Sequence, residues 1–124
     1  KPNTKFVAEF IGSPQMNLFQ CKIENGLAKI SDMQINLNNS LNIQDACIGV
    51  RPDDILISDQ GEYSSSANLV EYLGSDMIIY SSVGGQEFSC KLSSKINLKA
   101  GDNFKFDISP SVLHIFDNTS GQRA

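Results

Sequence analysis

The 124-residue chain is long enough for one domain with a hydrophobic core, since 40% of its residues are hydrophobic and 19% are charged. Its formal net charge is −4 at pH 7, and its basic residues are scattered. This composition argues against nucleic-acid binding and against a basic helix on a membrane surface. No apolar run approaches the roughly 20 residues of a membrane-spanning helix, so direct membrane insertion is not expected.

The first dozen residues have a helical pattern. The apolar residues of segment 6–11 lie on one side of about two helical turns, and the Gly-Ser-Pro at residues 12–14 ends the pattern. The chain opens on Lys1 with neither an initiating methionine nor a signal peptide. We interpret residues 1–12 as a linker or helix from a missing domain and residues 13–124 as one β domain.

Beyond this junction the pattern changes to short alternating strands. Asn25 and Gly26 form a strong two-residue hairpin signal. The serine-rich residues 58–68 are predicted to form a surface loop, and Pro52 and Pro110 each to begin a helical turn. About nine strands with turn signals roughly every 8–12 residues predict an all-β sandwich or barrel. These strands are drawn from ten segments with strand character, residues 18–24, 27–30, 33–37, 47–51, 55–57, 69–73, 77–83, 88–92, 104–108 and 113–116.

The cysteines indicate neither a disulfide framework nor a metal site. Cys21, Cys47 and Cys90 are widely spaced and odd in number, and each lies among apolar or β-forming neighbours. This favours reduced, half-buried thiols in a cytosolic protein. No Cys-x-x-Cys or Cys/His spacing predicts a zinc site.

No set of residues indicates catalysis. His114 is the only histidine, and alternation places it on the exposed side of the last strand. Asp53 and Asp54 are the only adjacent acidic pair, and because Pro52 precedes them we expect one of them to cap a solvated helical turn. Arg51 ends a predicted strand. Its guanidinium could pair with a nearby carboxylate or contact a partner subunit.

Five segments, in order along the chain, resemble one family. Residues 2–17 read P-x-x-x-F-V-A-x-F-I-G-S-P-x-M-N. They resemble the junction between the ATPase domain and the C-terminal regulatory domain in sugar-importing ABC transporter ATPases. Residues 49–54 resemble that domain's G-[IV]-R-P-E segment, and residues 71–76 its E-x-L-G-x-E segment, with Asp53 and Asp76 where Glu is commoner. The two remaining segments are residues 99–102 and 113–121.

The resemblance implies a transport-associated (TOBE) domain with an OB-like β-barrel. The relatives are the ATP-binding subunits of maltose, multiple-sugar and glycerol-3-phosphate importers. In this family two subunits pair through these domains, and the parent protein works with membrane subunits at the cytoplasmic face of the cell membrane. Some relatives also bind a regulatory protein. ATP and magnesium are expected only in the missing ATPase domain, so no cofactor, metal or catalytic step is expected in this chain.

The resemblance also suggests which residues lie at subunit contacts or take part in regulation. They fall in the junction, at the strand end after Val50 and in the corner after Leu73. The candidate residues are Gly12, Ser13, Pro14, Met16, Asn17, Arg51, Pro52, Asp53, Gly74, Ser75 and Asp76.

Two other binding functions are less well supported. Residues 13–23 are similar to the opening segment of molybdate-binding barrels, which hold an oxyanion with a serine, backbone amides and a basic residue. This chain lacks that segment's arginine and glycine, which argues against oxyanion binding. An OB-type binder of single-stranded nucleic acid needs a basic groove with stacking aromatics, whereas this chain is acidic and has no Trp.

Overall fold

The structure, a computed structural model, describes residues 15–37 and 43–119. Within these ranges the chain forms eleven β-strands, which confirms the all-β prediction, and two 3₁₀ turns that begin at Pro52 and Pro110 as predicted. The predicted linker at residues 1–12 and the boundary after it lie outside the described residues. The strands are β1 (Asn17–Glu24), β2 (Leu27–Ile30), β3 (Met33–Asn36), β4 (Asp45–Val50), β5 (Leu56–Ile57), β6 (Tyr63–Ser66), β7 (Leu69–Leu73), β8 (Asp76–Val83), β9 (Gln86–Leu92), β10 (Asn103–Asp107) and β11 (His114–Asp117).

The described strands pair antiparallel in three sheets, with the orders β11-β4-β1-β2-β3, β5-β10-β6 and β7-β8-β9. The hairpin predicted at Asn25 and Gly26 joins β1 to β2, with φ angles of 54° and 76°. Gly84 and Gly85 connect β8 to β9 with φ angles of 56° and 78°. Positive φ at both central residues is what a type I′ turn requires, and such turns fix the register of the flanking strands.

The serine-rich segment predicted to be a loop contains strand β6. This strand pairs with β10 and lies beside β8. Ser65 Oγ donates to the carbonyl of Ser82 at 2.9 Å, and Ser81 Oγ donates to the carbonyl of Ser66 at 2.5 Å. These hydroxyls supply hydrogen bonds where two sheets meet without a shared ladder. The loop prediction was therefore wrong for residues 63–66. A serine hydroxyl in a strand can donate a hydrogen bond to a backbone carbonyl of a neighbouring strand, so a serine-rich segment can form a strand.

The core lies between the sheets and contains four phenylalanines on inward strand positions. Phe19, Phe88, Phe104 and Phe106 are each at most 6% exposed. The Phe88 ring lies 5.5 Å from those of Phe19 and Phe106, and the Phe104 ring lies 5.7 Å from that of Phe106. These tilted contacts have the geometry that aromatic pairs prefer. Since Phe19, Phe88 and Phe106 belong to three different sheets, their rings hold the sheets together.

No disulfide joins the three cysteines, all of which lie in the described ranges, and this agrees with the prediction of reduced thiols. Cys21, Cys47 and Cys90 are fully buried rather than half-buried. Burial raises the pKa of Cys21 and of Cys90 to about 12, and nearby Cys47 adds to the shift at Cys21. A thiol with so high a pKa stays protonated near neutral pH and is a poor nucleophile.

Candidate functional site

The junction segment meets the G-V-R-P segment on the outer face of the five-stranded sheet. Met16 packs directly over Gly49, and a Cβ on residue 49 would collide with its Sδ. In the strand ladder, Leu18 of β1 and His114 of β11 lie on either side of Gly49. Three of the segments that carry the family resemblance therefore meet around one glycine, although they are far apart in the sequence.

This outer face is more buried than strand alternation predicts. Cys47 and Phe116 lie opposite each other on β4 and β11, two residues along from Gly49 and His114. They are 0% and 5% exposed. His114 itself is half-buried, so the prediction of an exposed histidine was wrong. Alternation separates the two faces of a strand but does not tell whether the second face is covered.

Asn17 joins two sheets through its side chain. It is 7% exposed, and its Nδ2 donates to the carbonyl of Ser89 at 2.8 Å. Its Oδ1 accepts from the Ser89 backbone N–H at 2.8 Å. The amide thus takes the place of a missing backbone ladder between β1 and β9. Asn17 was predicted as an interface residue, but both ends of its amide bind within the chain.

A second amide bridge links the same two strands. Gln86 Oε1 accepts from the backbone N–H of Gln20 at 2.6 Å, and Gln86 Nε2 donates to the Gln20 carbonyl at 3.0 Å. Asn118 Nδ2 donates to the Gln20 side-chain oxygen at 2.8 Å. Sequence reasoning did not find Gln86, because its partners lie 66 residues away and no local pattern indicates them. The two bridges close the seam between the five-stranded sheet and the β7-β8-β9 sheet.

The strand end after Val50 presents Arg51 to solvent. Arg51 is exposed and forms no ion pair with any residue in the described ranges, so the carboxylate-pairing alternative finds no support there. Pro52 is buried and begins the 3₁₀ turn. The residue before this turn is Arg51, and no side chain caps it. Asp53 and Asp54 lie within the turn itself, so the prediction that one of them is the cap was wrong.

The corner at residues 74–76 is the tip of the β7–β8 hairpin. Gly74 has a φ of +61°, and a Cβ there would meet no other atom within 4 Å. Gly74 and Ser75 are exposed, whereas Asp76 is half-buried. The Asp76 carboxylate lies 3.7 Å from Lys91 Nζ across the sheet. The tip therefore projects into solvent and has space around it for a partner.

Strand β7 exposes large apolar side chains that the sequence did not mark as functional. Leu69, Tyr72 and Leu73 are 51%, 54% and 53% exposed. The Lys95 Nζ lies 5.3 Å from the centre of the Tyr72 ring, a cation–π contact. Leu69 and Leu73 project from one face of β7 and Tyr72 from the other, so they flank its edge from both sides, and exposed apolar side chains of this size are typical of a contact region. The alternation of residues 69–73 had indicated only a strand.

A groove of about 510 Å³ connects the junction to strand β7. Met16 and Leu18 line it together with Asn68, Leu69 and Tyr80. The groove brings the predicted junction residue Met16 next to the start of the exposed strand. Both features therefore belong to one continuous surface of the domain.

The described residues offer little to a metal or an oxyanion. They contain no group of three or more His, Cys, Asp or Glu side chains that could hold a metal ion. In β1, where the oxyanion interpretation needs a basic group, the only basic residue is Lys22, and its ammonium pairs with the Asp45 carboxylate. In the described ranges, no helix is long and apolar enough to cross a membrane.

Comparison with known protein families yields two matches that together span most of the chain. The model of the TOBE domain matches residues 48–116. The model described as the MalK OB fold domain matches residues 12–55. The two matches overlap at residues 48–55, which include the G-V-R-P segment.

Similar curated proteins are import ATP-binding proteins. The chain is 32% identical over 130 residues to the sn-glycerol-3-phosphate import ATP-binding protein UgpC 2 of Agrobacterium fabrum, covering 99% of the chain and 35% of that protein. It is 30% identical over 138 residues to the oligosaccharides import ATP-binding protein MsmX of Bacillus subtilis, covering 98% of the chain and 38% of that protein. The chain thus spans about a third of the length of these two relatives.

Proposed function

Because the chain belongs to the TOBE domain family, we propose that it is the C-terminal regulatory and dimerisation domain of the ATP-binding subunit of an ABC importer for a sugar or related solute. The observation that carries this proposal is the similarity of nearly the whole chain to import ATP-binding proteins. The domain itself is a binding and regulatory module rather than a catalytic one.

The proposal assigns the chemistry to the rest of the parent protein. ATP and magnesium bind in its ATPase domain, and hydrolysis takes place there. The parent protein associates with the membrane subunits of the importer at the cytoplasmic face of the cell membrane. A second copy of this domain and a regulatory protein are the two partners that the chain itself is expected to contact.

The geometry around the junction supports a role in transmitting movement. Met16 rests on Gly49, and the next residue, Asn17, is hydrogen-bonded to Ser89 on another sheet. The chain therefore enters the domain anchored to two sheets at once. A displacement that reaches residue 15 would be passed to the barrel as a whole, because β1 begins two residues later, at Asn17.

The candidate interface residues divide into surface and support in this proposal. Arg51, Asp53, Gly74 and Ser75 present groups that a partner can contact. The remaining described ones are more buried and hold those surfaces in place: Met16, Asn17, Pro52 and Asp76. Gly12, Ser13 and Pro14 lie outside the described residues, and their place at the contact stays a prediction.

Two measurements test the proposal. The coding sequence upstream of Lys1 is expected to contain the P-loop and signature motif of an ABC ATPase. Their absence would contradict the proposal that this chain belongs to an ABC ATPase. The full-length protein is then compared with a version that lacks residues 13–124 by sedimentation velocity. We expect the full-length protein to dimerise more tightly, because the deleted domain contributes part of the contact. If both proteins dimerise equally tightly, the proposed role of the domain in dimerisation is wrong.

A further inference from the structure

Among the described strands, β7 lies at a sheet edge that lacks the usual protection. In the described part of the chain β7 pairs only with β8, and its other side has no partner strand among these residues. Four of its five residues are exposed. Natural edge strands are normally protected by lysine, proline, a bulge or a covering element, and β7 has no lysine, proline or bulge.

The sequence of β7 is complementary to itself. It reads Leu-Val-Glu-Tyr-Leu, with apolar residues placed symmetrically about Glu71. A second copy lying antiparallel and centred on Glu71 would place Leu69 opposite Leu73 of that copy, and Val70 opposite Tyr72. A two-fold interface requires this property, because the same patch must fit itself. A partner of unrelated sequence would not call for such symmetry.

The Glu71 carboxylate, which would lie at the two-fold axis of this pairing, is held away from the open edge. Tyr80 lies on β8, and its hydroxyl donates to Glu71 Oε1 at 2.8 Å. The carboxylate is therefore held over its own sheet. Two Glu71 side chains at the axis still repel each other, which weakens the pairing without blocking it.

The area available indicates a contact that is weak alone. Leu69, Tyr72 and Leu73 are each about half exposed. At roughly 100 Å² a side chain, six of them across the two copies bury about 600 Å², compared with the 1,200–2,000 Å² of a standard stable interface. Such a contact forms when another part of the same assembly keeps the two copies close together.

From these observations we propose that two copies of this domain pair through β7, antiparallel and centred on Glu71, so that two three-stranded sheets become one of six strands. The proposal rests on the dimer role proposed above and names its contact surface. In this pairing the groove beside Leu69 would lie at the rim of the contact.

Cysteine cross-linking in the full-length protein tests the pairing. Glu71→Cys is expected to give a disulfide-linked dimer on mild oxidation, because directly opposed residues of antiparallel strands have Cβ atoms about 4.5–5.5 Å apart. Any cysteine upstream of Lys1 is first replaced by serine, whereas the three cysteines of this chain are buried and stay. The matched control is Leu56→Cys, since Leu56 is also exposed, at 58%, but lies on β5 in another sheet.

Two further variants show whether β7 pairs with a second copy of itself or with a different strand. Leu73→Lys is expected to weaken dimerisation about tenfold, because two apolar contacts are lost and two charges are introduced. Glu71→Gln is expected to strengthen it, because the repulsion at the axis disappears. If Glu71→Gln weakens binding instead, the edge serves a strand with a basic residue opposite Glu71, and the second-copy assignment is overturned.

The possible failures are distinguishable. If sedimentation shows a dimer but Glu71→Cys fails to cross-link, the β7 assignment is wrong and the dimer role stands. If Leu56→Cys cross-links as efficiently as Glu71→Cys, the oxidation reports random collision and the assignment is also wrong. If the full-length protein is monomeric at every concentration, both the β7 assignment and the dimer role are overturned.

Discussion

Gly49 determines how the junction is seated on the barrel. The position has no Cβ, and the sulfur of Met16 occupies the space where a Cβ would lie. We predict that Gly49→Val displaces the flexible Met16 side chain and destabilises the domain by about 1 kcal/mol, the low end of the range for overpacking. The measurement is urea unfolding of the chain.

A double-mutant cycle isolates the cause of that loss. Met16→Ala removes the sulfur, so Gly49→Val is expected to cost clearly less in the Met16→Ala background than in the original chain. An identical cost in both backgrounds would place the strain elsewhere, for example in the backbone of β4. The cycle therefore tests whether the two family segments meet in the way that the structure describes.

Asn17 makes the second prediction at the residue scale. Asn17→Ala removes two hydrogen bonds and leaves the N–H and C=O of Ser89 unpaired at a partly buried seam. We expect a loss of about 2–3 kcal/mol in the free energy of unfolding, with faster hydrogen exchange at the Ser89 amide. Asn68→Ala is the control, because Asn68 is exposed and should change stability by no more than about 0.5 kcal/mol. Similar losses for the two variants would contradict the seam role.

The sequence predicted these residues only in part. Met16, Asn17 and the G-V-R-P segment were recognised by resemblance, but nothing local indicated that Met16 lies over Gly49 or that Asn17 binds Ser89. These contacts join residues 33 and 72 positions apart in the chain. Alternation describes one strand at a time, so it carries no information on which distant backbone a polar side chain will reach.

Strand β9 carries a thiol that makes stability depend on alkaline pH. Burial raises the pKa of Cys90 from 9.0 to about 12. The unfolded chain releases this proton above pH 9, while the folded chain keeps it. Cys90 should therefore leave the free energy of unfolding unchanged below pH 9 and should by itself lower it by about 1.4 kcal/mol per pH unit between pH 9 and pH 12.

Urea unfolding of the Cys90→Ala variant at several pH values measures this effect. The variant loses packing at every pH, but its stability should decline less steeply above pH 9, by about 1.4 kcal/mol per pH unit. Cys21, Tyr63 and Tyr80 also have raised pKa values, yet they are present in both proteins and cancel in the comparison. Parallel curves would show that the Cys90 thiol ionises equally in both states.

At the scale of elements, hairpins were predictable and sheet edges were not. Asn25-Gly26 has a local conformational requirement that can be read directly from the sequence. Strand β6 depends on its pairing with β10 and on serine hydroxyls exchanged with β8, and the open edge of β7 depends on which strands lie beside it. Both features follow from the arrangement of the sheets, and local sequence patterns do not predict that arrangement.

At the scale of the whole molecule, the described barrel is tied at its seams by side chains rather than by one continuous ladder. The five-stranded sheet reaches the β7-β8-β9 sheet through the amides of Asn17 and Gln86, and β6 reaches β8 through serines. The domain can therefore behave as one body while leaving β7 and the tip of its hairpin free for contacts. This separation of anchoring residues from exposed residues is what the proposed dimer role requires.

Arg51 tests that separation, because it contributes to the surface and not to the barrel. It is exposed and forms no ion pair with a described residue, so Arg51→Ala should change the stability of the chain by no more than about 0.5 kcal/mol. In the full-length protein we expect the same change to weaken dimerisation several-fold, since an arginine at a subunit contact commonly forms charge-assisted hydrogen bonds. Lys105→Ala is the matched control, because Lys105 is equally exposed but lies on β10, in a different sheet from the predicted contacts. Sedimentation of the three proteins decides the matter: if Arg51→Ala and Lys105→Ala dimerise alike, Arg51 has no place in the subunit contact, whatever the role of β7.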